Sequence, residues 1–379
     1  MTFKKTKWFI YFITAIFLLF FSNDFGLINV EKTAIVVALG IDRKEDDEFT
    51  VTAQIVLPCS SKENGSNDKA TVSASGKTLS GAISNVANVT GWYPKLSYCN
   101  LIILGDSFLQ TDYDTIGLFT FFKDSTELQD SAFISACEGN AEQLLGTLSP
   151  LDNLSSFALQ KIFFGNVNRL GYTVTSNVKD FKRGHDSASL CSVMPYVTAN
   201  SGNSNGKQSD SEKTYTYDAT RSAVFKNGAF SFMLTSDETI CFNALKSVVK
   251  DSETDVELGD KTALVNIKKN NRILKISGKE NPVFTLGFKL FCKVEDYSVY
   301  VEKDEPLYEF TDKIKVYTEK KFQDVLKNLI DKTIESDTDL FGLRNAYYRK
   351  YPKRYESIKK DFLKRVGYET VVKAVGVKS

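Results

Sequence analysis

Histidine is almost missing: His185 stands alone among 379 residues. A metal site built on two imidazoles is therefore excluded, and a Ser-His-Asp triad would have to use that one ring. His185 lies in Lys182-Arg183-Gly184-His185-Asp186, a polar stretch that reads as a solvated loop. Six cysteines, Cys59, Cys99, Cys137, Cys191, Cys241 and Cys292, are spread singly with no C-x-x-C pair. That removes a zinc knuckle and a thioredoxin-type redox motif. Cys99, Cys137 and Cys292 sit in apolar strand-like runs, where a thiol behaves as a small hydrophobe, so the six read as mostly free. Neither sign of charge dominates, with 48 Lys and Arg against 47 Asp and Glu. No global field gathers nucleic acid, and no basic stripe with interleaved aromatics is present. The signatures G-x-x-x-x-G-K-[ST] and H-E-x-x-H do not occur, and G-x-S-x-G occurs once, at Gly202-Asn203-Ser204-Asn205-Gly206, inside a polar Ser/Asn/Gly-rich stretch rather than between a strand and a helix. Asp42, Glu45, Asp46 and Asp47 cluster without the spacing or central glycine of a Ca²⁺ loop. No catalytic, cofactor-binding or metal-binding residue can be named, and an envelope hydrolase has only compositional permission.

What the chain does have is an unbroken apolar run, Trp8–Phe21. Trp8, Phe9 and Ile10 open it, and Phe17, Leu18, Leu19, Phe20 and Phe21 close it. Lys4, Lys5 and Lys7 precede it, and Ser22-Asn23-Asp24 follow. Basic flank, apolar core and polar exit describe an export signal or a membrane anchor, with everything after Ser22 outside the cytoplasm. At about 1.5 Å per residue the run covers roughly 21 Å, short of a hydrocarbon core of about 30 Å. No A-x-A-type cleavage site follows it. Cleaved signal and retained anchor both remain open.

Hydrophobic residues make up 42% of the chain, enough for real cores. Thr33–Asp42 is a compact apolar run. Phe49–Leu57 alternates with period two, as a half-buried strand does, and Pro58 ends it. Ser60–Lys69 reads as a polar loop, Thr71–Ser75 as a short strand and Lys77–Val89 as a helix. Tyr98–Leu104 is a strand turned by Gly105-Asp106. Ser131–Cys137 is a strand with a helix, Ala141–Leu148, behind it. Leu151–Phe164 reads as a helix, and Val167–Ser192 as irregular before a strand at Leu190–Val197. Asn200–Lys213 has no apolar residue and is rich in Ser, Asn and Gly, as a linker is.

Beyond it, Ala223–Lys226 and Ala229–Leu234 flank Asn227-Gly228, a strong hairpin signal. A helix follows from Ser236 to Lys246, then an acidic loop at Asp251–Asp260. Ala263–Lys268 and Arg272–Ser277 suggest a second hairpin around Asn270-Asn271. Pro282–Val294 is one long strand with Phe284, Leu286, Phe288, Leu290 and Cys292 on its core face. Glu319–Ile334 is the most regular helix, broken at Ser336–Gly342. Leu343–Tyr351 and Lys353–Arg365 are basic, aromatic helical segments split by Pro352, and Glu369–Lys378 is a closing strand. Tyr347, Tyr348, Tyr351 and Tyr355 could contact lipid headgroups or a partner, or pack a helix whose basic residues are solvated.

The expected fold is α+β and multi-domain, with mixed β-sheets flanked by helices after an N-terminal segment. Residues 1–22 form the signal or anchor and 23–199 an N-terminal α/β region divisible near 150. Residues 200–214 form a linker, and 215–379 a C-terminal α+β domain.

TAIVVALGID followed by FTVTAQIVLP resembles the Ger(x)C family, the C-type subunit of bacterial endospore germinant receptors. Residues 76–108, 222–245 and 336–362 resemble further family blocks in the same order, the last at Asp339, Gly342, Tyr348, Arg349, Lys350 and Pro352. The resemblance implies a non-enzymatic subunit on the outer face of the spore inner membrane. Its partners would be an integral-membrane A-type subunit and a transporter-like B-type subunit, and its fold three mixed α+β domains. Gly40, Asp42 and Gly105 are further motif positions that turn geometry explains equally well. The family's lipobox cysteine would fall within Phe21–Phe25, where this chain has none. Tethering would then rest on Trp8–Phe21, or the protein is released. An extracytoplasmic solute-binding protein is the alternative, and it would need a ligand cleft between domains.

Overall fold

The computed structural model describes residues 2–21, 33–44, 48–56, 69–110, 114–152, 154–165, 171–201, 214–259, 261–298 and 309–377. Cys59, most of the Ser60–Lys69 loop and most of the 200–214 segment lie outside the described residues.

Helix α1 (Thr2–Phe21) carries the apolar run. Its described side chains are exposed, Trp8 at 78% and Tyr11 at 71%. Those of Ile10, Leu18, Leu19, Phe20 and Phe21 are not among the described ones. Among the described residues no helix is long and apolar enough to cross a membrane.

The first sheet has nine strands. β1 (Thr33–Arg43), β2 (Phe49–Val56) and β3 (Lys69–Gly76) form one antiparallel flank. β4 (Tyr93–Lys95) and β5 (Leu101–Leu104) both run parallel to β1, and β6 (Phe133–Cys137) runs parallel to β5. β7 (Cys191–Ser201) joins β6 in parallel, and β8 (Tyr215–Lys226) and β9 (Ala229–Leu234) close the order β3-β2-β1-β5-β6-β7-β8-β9. On one face lie α2 (Leu79–Thr90), α3 (Ser107–Gln110), α4 (Thr115–Ser125) and α7 (Val178–His185). On the other lie α5 (Ala141–Gly146) and α6 (Ser155–Gly165).

Helices on both faces correct the reading of Phe49–Leu57 as half-buried. Thr50, Thr52 and Gln54 are buried as well. Gln54 Nε2 donates to the Leu145 carbonyl at 2.7 Å and to Ser155 Oγ at 2.9 Å, which is how a polar residue is tolerated there.

The second sheet, β10 (Ser252–Glu257), β11 (Thr262–Ser277), β12 (Val283–Tyr297) and β13 (Gly367–Gly376), has that spatial order. Phe284, Leu286, Phe288, Leu290 and Cys292 of β12 are all fully buried, as the alternation requires. Against this sheet pack α8 (Ser236–Leu245), α9 (Asp312–Glu335), α10 (Leu343–Lys350), α11 (Pro352–Ile358) and α12 (Phe362–Arg365). Phe288 meets Phe322 of α9 edge to face, with ring centroids 5.8 Å apart. The same core takes in Val193, Val224 and Leu234 of the first sheet, so the two halves share apolar interior.

Other expectations are corrected. The polar 200–214 segment joins neighbouring strands: β7 and β8 pair antiparallel from Ser201/Tyr215 to Cys191/Lys226. It is a connection within one sheet, and the change of sheet comes after Leu234. Val178–His185 is a helix, capped by Asn177 onto the Asp180 amide, so His185 ends a helix rather than sitting in a loop. Asp251–Asp260 supplies strand β10, whose alternate residues are buried. Asn270-Asn271 is no turn. β11 runs straight through, and the Asn270 side chain donates to the Ala244 carbonyl and accepts from the Val249 amide. Asn227-Gly228 is a turn as expected, with φ 50° and 81°.

Truncating Phe288 leaves a cavity in the middle of this core. Phe288→Ala is expected to lower unfolding free energy by about 3–5 kcal/mol. Urea denaturation checks it, and a change under 1 kcal/mol would contradict the packing described.

Candidate functional site

The motif residues gather into two nodes. In the first, Asp42 at the end of β1 points its carboxylate at the start of α5. Oδ1 accepts the Ala141 amide at 2.8 Å and Oδ2 the Glu142 amide at 3.0 Å. This satisfies amide donors that a helix N-terminus leaves open. Burial raises the Asp42 pKa although both amides pull it down. Gly105 is small for a reason: a Cβ there would land on the Asp42 carboxylate. At Gly40 a Cβ would stand 3.0 Å from both Ala141 Cβ and Leu145 Cδ1. The three positions therefore make one joint between β1, β5 and α5. Beside it Asp106 accepts from the Gly139 amide and from the Tyr196 hydroxyl, each at 3.0 Å. The Arg221 guanidinium lies 4.9 Å from the Tyr196 ring centroid.

The second node joins the two halves. Asp339 is buried, and its Oδ1 accepts the Leu343 amide at 2.8 Å while Oδ2 accepts the Arg344 amide at 2.7 Å, again at a helix start. Oδ2 also accepts from Ser189 Oγ at 2.6 Å, just before β7. Gly342 precedes α10 with φ 73°, a left-handed conformation that other residues adopt at a cost. Around them Asp337 bridges Lys226 of β8 at 3.0 Å and Arg344 at 2.7 Å, and Ser231 of β9 bonds Thr338 at 2.8 Å. Pro352 stands apart, as the first residue of α11, where a missing N–H costs nothing.

Sequence reasoning did not single out Ser189 and Lys226, because their partners Asp339 and Asp337 are more than 100 residues away in the chain, and it did not single out the local pair of Asp337 and Arg344, 7 residues apart. The only local signal was the second acid in Ser336-Asp337-Thr338-Asp339. A cavity of about 180 Å³ lies next to this node, lined among others by Cys191, Lys246 and Arg272. Neither node sets a nucleophile against a base, and the motif carboxylates are spent on backbone amides. Burial pushes the Cys99, Cys191 and Cys292 thiols up to about 12, which disfavours the thiolate.

A family model described as the spore germination protein N-terminal domain matches residues 28–199. A second, described as spore germination B3/GerAC-like, C-terminal, matches residues 220–379. This chain belongs to the Ger(x)C family of spore germination proteins. It is similar to spore germination protein KC of Bacillus subtilis (strain 168). The two are 20% identical over 369 residues, 91% of this chain and 90% of that one. Its fold matches the crystal structure of the GerBC protein with a TM-score of 0.53, at 16% identity, over 90% of this chain and 97% of that one. As a Ger(x)C protein it is a germinant receptor C-type subunit involved in spore germination. The gap between the two family matches falls on residues 200–219, between the last residues of β7 and the first five residues of β8.

Burial raises the Asp339 pKa above 3.8 against the pull of its hydrogen-bond donors. The folded protein then holds this proton to higher pH than the unfolded chain. Asp339 therefore makes stability fall as pH climbs from about 3.8 through the raised folded value, and adds no slope above it. Asp339→Asn is expected to remove that slope. By leaving one backbone amide unpaired it should also cost about 1–3 kcal/mol. Urea midpoints of both proteins, followed from pH 3.5 to neutrality, test this, and identical pH profiles would refute it.

Proposed function

We propose that this chain is a non-enzymatic subunit of a nutrient germinant receptor complex, held at the outer face of the spore inner membrane by its N-terminal helix. It works there beside integral-membrane A-type and B-type subunits. The observation that carries the proposal is the ordered match of the two family models across nearly the whole chain. The site geometry agrees, because both motif carboxylates are spent holding helix ends.

The tether reading uses Trp8–Phe21 in place of a lipidated cysteine. A short apolar run can be accommodated by local thinning of the bilayer while flanking lysines reach the headgroups.

Two experiments test the proposal. Spores lacking this protein should stop responding to one class of germinant, and an unchanged response to every nutrient in a strain without a paralogue would refute the role. Membrane fractionation with intact mass should recover the chain in the membrane with residues 1–21 attached. A soluble species beginning near Ser22 would remove the tether.

A further inference from the structure

The strands β1, β5, β6 and β7 are parallel, so they begin at one end of the first sheet. That end has an unusual surface. Thr33, where β1 enters, pairs with Tyr93. Tyr93 is 61% exposed, Tyr98 57% and Val89, near the end of α2, 68%. Helices α4 and α7 lie across the same end. The Lys179 amide donates to the Asp130 carbonyl, just before β6. The Thr115 amide donates to the Gly228 carbonyl at the β8–β9 turn. Gln129, which follows α4, donates to the Ser97 carbonyl beside Tyr98.

Between α4, α7 and α10 runs an open groove of about 680 Å³ lined by Lys123, Lys179, Lys182, Arg183 and Arg349, with Tyr348 at its edge. Two carboxylates, Asp130 and Asp186, line it too, so five basic side chains face two acids. Arg183 is also paired with Asp180. The rest of the positive charge is not neutralised within the groove.

We propose that this end of the first sheet faces the bilayer. Val89, Tyr93 and Tyr98 enter the headgroup layer, and the basic groove takes the phosphates of anionic phospholipids. The inference rests on the reading of α1 as a membrane tether. Eleven residues, 22–32, separate α1 from β1. Fully extended they reach about 40 Å, so turning the opposite end of the sheet to the bilayer, with Thr33 about 36 Å away along a strand the length of β1, would draw almost the whole segment taut, whereas the end that carries Thr33 and Tyr93 needs no such extension. Tyrosine is also the side chain that favours a membrane–water boundary, its ring in the apolar part and its hydroxyl wet. Lysine and arginine beside it add attraction to anionic lipid. An acidic protein segment would suit the groove but would not account for the exposed Val89, Tyr93 and Tyr98 at the tethered end.

The test uses the full chain with Trp8→Phe and Trp92→Phe, carrying Tyr93→Trp in one version and Tyr348→Trp in another. Vesicles of phosphatidylcholine with increasing phosphatidylglycerol carry a nitroxide on the headgroup. Sedimentation reads the tether, and quenching reads the face. Circular dichroism confirms that each variant is folded. The expected result is sedimentation with quenching at both positions, rising with phosphatidylglycerol. Lys179→Gln with Arg349→Gln, both exposed, should weaken that anionic-lipid dependence about fivefold per charge removed.

A chain that sediments with neither tryptophan quenched overturns the proposed face and leaves the tether standing. Quenching that ignores lipid charge and the neutralised pair overturns the role of the groove, as a protein ligand there would predict. A chain that stays in the supernatant overturns both tether and face.

Discussion

Everything in the second half hangs on the burial of α8. From Glu238 to Leu245 every residue of this helix is buried, between β8 and β9 on one side and β11, β12 and α9 on the other. A helix covered all round has no water to satisfy its ends, and each orphaned amide or carbonyl would cost about as much as a lost hydrogen bond. The chain meets this with named side chains. Thr235 and Glu238 form a reciprocal capping box at the start. Lys332 of α9 neutralises Glu238 at 2.6 Å. Asn270 takes the Ala244 carbonyl at the other end, and Asn243 donates to the Gly171 and Thr173 carbonyls at 2.6 and 3.1 Å. With these in place one helix can serve as interior to both sheets.

That constraint explains what could be read in the sequence and what could not. Local periodicity reported truly wherever one face meets the core, as in β12, α9 and the Asn227-Gly228 turn. It failed where a polar residue is needed for a distant partner. Asn270 looks like a turn residue because asparagine favours turns, yet here it caps a helix end 26 residues away in sequence. Asp251–Asp260 looks like a solvated loop because its acids alternate outward from a buried Ser252, Thr254 and Val256. Thr50, Thr52 and Gln54 looked exposed because nothing local announces that α5 and α6 cover them. Polar does not mean wet once a hydrogen-bond partner is provided from elsewhere.

The motif positions make the same point about function. Gly40, Asp42 and Gly105 proved to be a joint, and Asp339 with Gly342 a second joint of similar design. Each uses a buried carboxylate to receive two successive amides at a helix start. Packing and helix capping account for these positions in the structure. The features facing outward, the basic side chains of α7 and the tyrosines of β4 and α10, carry weak sequence signals. Surface charge can be supplied by many arrangements, and Val167–Ser192 gave little hint that a helix lay inside it.

The pairing of β7 with β8 sets how the molecule can respond to force or to a neighbour. Two bodies joined by a flexible connector can hinge, and a push on one need not be felt by the other. Here the ladder from Ser201/Tyr215 to Cys191/Lys226 spans the place where the two family segments meet. Bending there would shear backbone hydrogen bonds along most of two strands. The ladder therefore stiffens the first sheet across the family boundary, and a displacement there reaches the second sheet through the core shared by Val193, Val224 and Leu234 and through the Ser189–Asp339 and Lys226–Asp337 contacts.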